Sequence, residues 1–345
     1  MSSLTYSRPT LYVGDKEVKS FSSIQYTDSG KNQASSLNVS LSDPDLRRAA
    51  LLNKQVVFYL NYGSEDNVPF FRGRIKQLNP TDFKLQFTAY DVRSLLTGRE
   101  SLPLSLTDKD NYDGHTLSQF LYDYIDEYIN VKETIIGLDF LNETNPTVSL
   151  SNQRTKKTDP MKLIRKLLPK NSTNLSDIKR YRLSIIDDGV KSNICFVRDQ
   201  SIDSAGVPFT YSDGIKKLTV KKRESPNLLA TNVDNTNVVY KHNNLSTGVV
   251  AGKIEGKFDY PDEAMQEAFI QSTLAETSAE ITLDTTKGHY LNIGNVVSVS
   301  TPDYPEINGK HRIVSKQVTS SANNISCKLQ LAKESPQLSE YLSSS

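Results

Sequence analysis

Five basic residues stand close together in "GIKKLTVKKR": Lys216, Lys217, Lys221, Lys222 and Arg223. Such a run can hold the acidic surface of a partner, and it equally serves as a solvated strand face or as charges that blunt a sheet edge. Its apolar side is Val220 with either Ile215 or Leu218, so periodicity leaves the phase open. Other candidates for chemistry fall away one by one. Asp187-Asp188 precedes Gly189 between two apolar runs, which is turn chemistry rather than a pair of separately held catalytic acids. "DKDNYDG" at 108–114 has the look of a calcium loop, but aligned on Gly114 its first and last ligand positions are Lys109 and Phe120. His115, His242, His289 and His311 are scattered without ligand-like neighbours, so each is expected at the surface or on a strand edge. "GVVAGKIEG" carries a Gly-Lys pair without phosphate-loop spacing, and no nucleophile elbow or zinc-protease helix occurs. The sequence therefore predicts no catalytic residues, no cofactor and no metal.

The totals agree. Lys+Arg is 41 and Asp+Glu 40 in 345 residues, a net charge of +1. Proteins built to grip phosphate backbones are usually strongly basic, so stable nucleic-acid binding is not expected. There is no Trp but there are 17 Tyr, with abundant Ser, Thr and Asn, a bias toward strands and turns. Cys195 and Cys327 each lie in an apolar run and read as buried thiols. The start, "MSSLTYSRPTLYVGDKEV", lacks a basic segment followed by an apolar one, and no stretch has the length of a membrane span. The expectation is a soluble protein folded in a reducing cytoplasm, without a membrane partner.

Stepping along the chain, residues 10–100 read as short strands: "TLYVG", "VKSFSSIQYT", "SSLNVSLSD" with Leu37, Val39 and Leu41 on one face, "QVVFYLNYG", "PFFRGRIKQL" and "FKLQFTAYD". Together they predict a small antiparallel barrel or sandwich, ended by a short helical turn at "DVRSLLTG". After Pro103 the pattern changes to helices, "HTLSQFLYDYIDEYI" and "TDPMKLIRKLL", and then to a hairpin around Asp187-Asp188-Gly189. Strands return at "GIKKLTVKKR" and "NVVYKHN", a helix opens at Pro261, and four more strands follow. Residues 55–91 and 296–334 repeat one plan: a Val-Val strand, a loop with Gly73 or Gly309, a strand with Arg74-Ile75 or Arg312-Ile313, then Lys84-Leu85-Gln86 or Lys328-Leu329-Gln330. The repeat predicts that these segments are equivalent parts of two similar β-barrels, with Leu85 and Leu329 facing inward.

In "FFRGRIKQLNPTDFKLQFTAYDVRSLL", "HTLSQFLYDYI", "DPMKLIRKLL" and "LNIGNVVSVSTPDYPEINGKHRIVSKQV", the sequence resembles the baseplate hub, or late control protein D-like, tail proteins of long-tailed phages and related injection machines. The likeness spans roughly residues 10–335, and Asn295 departs from it where an acid is usual. It implies a fold that is α+β, mainly β: two similar small antiparallel β-barrels with an inserted α+β module. The implied divisions are a first barrel at 1–102, the module at 103–205, connecting strands at 206–250, a helix and second barrel at 251–337, and a frayed tail at 338–345. It further implies a structural, non-enzymatic hub in the virion baseplate, assembled in the host cytoplasm. Three copies would form a ring of six barrels joining the sixfold tail tube, or its distal ring protein, to the threefold central spike. Tape-measure and baseplate wedge proteins are further implied neighbours, and DNA would only pass through the channel. The short C-terminus favours a contractile tail. A tail-associated protein that binds or degrades cell wall is the alternative.

Overall fold

The computed structural model describes residues 9–30, 34–41, 52–61, 68–80, 84–95, 115, 181–187, 189–190, 192–198, 200, 204–212, 214–221, 228–241, 251–254, 261, 264–265, 268, 280–285, 287–321 and 324–332. They are mainly β. The chain divides into two compact units, Met1–Asp199 with Lys316–Cys327, and Gln200–Ser315 with Lys328–Ser345.

In the first unit, strands β1 (Thr10–Val13) and β2 (Lys16–Val18) flank the Gly14-Asp15 turn, and β3 (Ser23–Asp28), β4 (Ser36–Leu41), β5 (Gln55–Tyr59), β6 (Phe71–Pro80) and β7 (Leu85–Tyr90) follow. All pair antiparallel, in the order β3-β4-β7-β6-β5-β1-β2. The alternation read from the sequence is the cause. Leu37, Val39 and Leu41 stand opposite Ala89, Phe87 and Leu85, and all six are buried. Gly73 is required where β6 runs close to β7, because a Cβ there would lie 2.3 Å from the Tyr90 carbonyl oxygen. The 3-10 turn Val92–Leu95 and the hairpin β8 (Tyr181–Asp187) and β9 (Ser192–Arg198) also belong to this unit. The two helices predicted between 115 and 169 lie outside the described residues.

The second unit contains β10 (Val207–Thr210), β11 (Ile215–Lys221), β12 (Leu228–Val233), β13 (Thr236–Lys241), β14 (Ala251–Lys253), β15 (Glu280–Thr285) and β16 (Val296–Ser300). It also holds β17 (Gly309–Ser321) through Ser315 and β18 (Asn324–Ala332) from Lys328. Strands β10, β12 and β14 were not foreseen. Asp234 and Asn235 both take positive φ (45° and 63°) and turn β12 into β13, the conformation a tight hairpin favours. The described residues of the predicted helix, Pro261, Ala264, Met265 and Ala268, are helical. Ala264 and Ala268, one turn apart, are buried with Leu229, Val233, Val238 and Ile254.

The main sheet of this second unit runs β11-β15-β18-β17-β16-β10. Six strands of the first unit, β3-β4-β7-β6-β5-β1, stand in the same order and are met in the same succession along the chain. The match extends to single hydrogen bonds. Ile75 donates to the Lys54 carbonyl (3.0 Å) and accepts from Asn53 (2.7 Å); Ile313 donates to Asn295 (2.9 Å) and accepts from Gly294 (2.8 Å). Asn53 and Gly294 both have positive φ (67° and 85°), and Gln55↔Arg74 corresponds to Val296↔Arg312. Leu85 and Leu329 are both buried, as the repeat predicts. The shared glycines, however, are not counterparts, since Gly73 precedes Arg74 by one residue and Gly309 precedes Arg312 by three. The units differ at one end: β1 pairs with β5 antiparallel, whereas β10 pairs with β16 in parallel.

Candidate functional site

The basic strand β11 pairs with β15 and ends the order of its sheet among the described residues. Its register shifts between Ile215 and Lys217, which makes Lys216 the extra residue of a bulge. The bulge settles the phase. Ile215, Leu218 and Val220 stand opposite Thr285, Leu283 and Ile281, all buried and on one face of β15. Lys216, Lys217 and Lys221 are exposed. Lys217 stands opposite Asp284 and Lys221 opposite Glu280, so this basic run has acids across the ladder. Lys222 and Arg223 lie outside the described residues. A bulge and exposed lysines are also how sheets blunt an edge.

Among the described residues, the densest electrostatic site was missed by sequence reading and lies in the first unit. Asp91, just after β7, accepts from the Ser35 amide (3.0 Å), the Ser35 hydroxyl, Arg93 Nε (3.0 Å) and Arg93 Nη2 (2.7 Å) at Oδ2, and from the Arg93 amide (2.9 Å) at Oδ1. Arg93 Nη2 also reaches Asp28 Oδ2 at 3.0 Å, and Asp28 in turn accepts from Gly30 and, at 3.4 Å, from the Tyr26 hydroxyl. Asp91 and Arg93 are buried. Burial opposes the Arg93 charge, but Asp91 and then Asp28 overcome it and hold the guanidinium above its ordinary pKa. The Tyr26 hydroxyl is pushed up by burial first and by Asp28 second. Lys316 completes the group. It stands opposite Asp28 in the ladder, its Nζ lies 5.0 Å from the centre of the Phe70 ring, and burial pushes its pKa down to about 8. With both Asp91 oxygens engaged, the cluster binds the turn after β7 to the β3–β4 connection.

Asp187, the candidate acid of the "DDG" run, is a turn residue. It accepts from Gly189 (2.9 Å) and Ser192 (3.0 Å), and Arg72 of β6 grips it through Nε (2.7 Å) and Nη2 (3.2 Å) while also bonding the Gly189 carbonyl (3.0 Å). Asp188 and the "DKDNYDG" stretch lie outside the described residues. The histidine expectation needs correction: His289 and His311 are buried. His311 Nε2 donates to the Ile307 carbonyl at 2.6 Å, at the 3-10 turn Pro305–Ile307. His115 is half-buried and His242 lies outside the described residues. Cys327 is a buried thiol, while the Cys195 side chain lies outside the described set. Among the described residues no group of His, Cys, Asp or Glu could hold a metal ion, and no helix is long and apolar enough to cross a membrane.

This arrangement of strands is the fold of phage tail proteins. The tail protein from Neisseria meningitidis MC58 has a TM-score of 0.60 at 11% identity, covering 97% of this chain and 98% of that one. The 43 kDa tail protein of prophage MuSo2 from Shewanella oneidensis has a TM-score of 0.60 at 12% identity, over 98% and 99% of the two chains. The E. coli c3393 protein, a type VI secretion system component with structural similarity to the T4 bacteriophage tail proteins gp27 and gp5, has a TM-score of 0.50 at 13% identity, over 95% and 77%. No protein-family model matches the sequence, and no curated protein does.

Proposed function

We propose that this chain is a structural hub protein of a phage tail baseplate, without enzymatic activity. Three copies, each with two barrels of like fold, form a ring of six barrels around the tail axis. The ring joins a sixfold tube, or its distal ring protein, to a threefold central spike, and DNA passes through its channel. The observation that carries this reading is the six-strand order written twice in one chain. A trimer of a duplicated unit offers sixfold-like surfaces on one side and true threefold symmetry on the other, which a symmetry adaptor needs. The tail-protein fold supports the same reading, as do the ion pairs and hydrogen bonds that engage the buried acids of the first unit.

On this reading residues 1–102 are the first barrel, 103–205 the inserted module, 251–337 a helix and the second barrel, which also draws β10 and β11 from the connecting strands at 206–250, and 338–345 the tail. The basic strand around Lys216, Lys217, Lys221, Lys222 and Arg223 is a partner-contact surface. Tape-measure and wedge proteins are neighbours in the virion baseplate. The test is to purify the chain with its tube and spike partners and determine the stoichiometry of the complex by native mass spectrometry. Three copies per spike trimer agree with the proposal; one or six copies overturn it.

A further inference from the structure

In the first unit, β3 has a neighbour on each edge: β4 on one, and residues Lys316–Ser320 of β17 on the other, with Val318 opposite Tyr26. The counterpart of β3 in the second unit is β11, which has β15 on one edge and ends the sheet order among the described residues. Its apolar residues Leu218 and Val220 stay half-exposed although they face the buried Leu283 and Ile281. The counterpart of β17, by the matching hydrogen bonds of Ile75 and Ile313, is β6. Beyond Arg74, β6 outruns β5, so that Gln77–Pro80 pairs with β7 alone among the described residues. Gln77, Asn79 and Pro80 are exposed and Leu78 is half-buried. Among the described residues there is thus one complete strand joint of this kind and the two separate halves of another.

We propose that these halves meet between copies: the outer edge of β11 at Leu218–Val220 in one copy adds antiparallel to Gln77–Pro80 of β6 in the next. The occupant of the edge is a second copy of this chain. This rests on the ring reading above and names the surfaces that make the ring. The two edges are different surfaces, so the contact is head-to-tail and closes only when the rotation between copies returns to its start. Main-chain hydrogen bonds would supply the affinity, as in other strand additions, and Pro80 at the strand end is compatible with an edge position. The bulge at Lys216 marks where pairing along β11 stops.

The test uses the full chain carrying Thr219→Cys and Asn79→Cys together, treated with a short bismaleimide at concentrations where mass photometry detects trimers, with each single variant as control. The expected result is a ladder of two and three linked chains for the double variant and only background for the singles. Thr219→Pro should abolish the trimer, and Thr219→Ser should keep it. Trimers without a ladder overturn the strand joint and leave the ring reading standing. A ladder that stops at two chains supports the joint and overturns the ring of three. Neither trimers nor a ladder at any concentration, with tube and spike partners added, overturns both.

Discussion

Asp91 has its carboxylate occupied by five donors from Ser35 and Arg93, so replacing Arg93 would leave the buried Asp91 and the half-buried Asp28 without the cation between them. Arg93→Met is expected to destabilise the protein by about 3–5 kcal/mol in urea unfolding, because a buried charge loses its partner. Lys316 gives a second expectation, with its sign fixed by linkage. Its pKa is about 8 when folded and 10.5 ordinarily, so between those values the unfolded chain binds more protons and stability rises with pH. Tyr26 opposes this above its ordinary value of 10.0, since its folded pKa is raised. Unfolding measured from pH 8 to 10 should show a rise on the order of 2 kcal/mol, absent in Lys316→Met. A flat profile in the unsubstituted protein would refute the assignment. None of this was legible in "AYDVRSLL". Charged residues one and three places beyond a strand end read as surface, and only the distant Ser35 and Asp28 turn Asp91 and Arg93 inward.

Strands with clean alternation were legible one by one, as Leu37-Val39-Leu41 and Leu85-Phe87-Ala89 show. Strand β12 was missed although its signal was present: Asp234-Asn235 between two apolar runs is a hairpin turn by residue type. The phase of β11 was not legible, because a bulge breaks period two and the bulged Lys216 looks like any other surface lysine. If the two units are one design, matched changes should have matched costs. Ile75→Ala and Ile313→Ala, both fully buried, should each destabilise by about 2–5 kcal/mol. Asn53→Gly should be tolerated, and Gly294→Ala should cost about 1–2 kcal/mol for its left-handed backbone. A large cost at Ile75 beside none at Ile313 would contradict the equivalence. The hairpin β8–β9 is held to β6 by Arg72 and Asp187 at 2.7 Å. Arg72→Ala should therefore speed amide exchange in β8 and β9 while leaving that of β4 and β7 unchanged; equal acceleration everywhere would mean global destabilisation instead.

At the scale of the whole chain, the repeat is legible in the sequence itself, in Lys-Leu-Gln and Arg-Ile at corresponding places. Its extent was not, because loops of unequal length and the β12–β14 insertion hide a shared order that only strand pairing reveals. In the proposed ring of six, two like units in one chain would halve the number of copies needed, and this is the central claim. Electron cryomicroscopy of assembled tails tests it most directly. The proposed ring predicts three copies of this chain around the tail axis. Six equivalent copies, or density for this chain away from the axis, would contradict it.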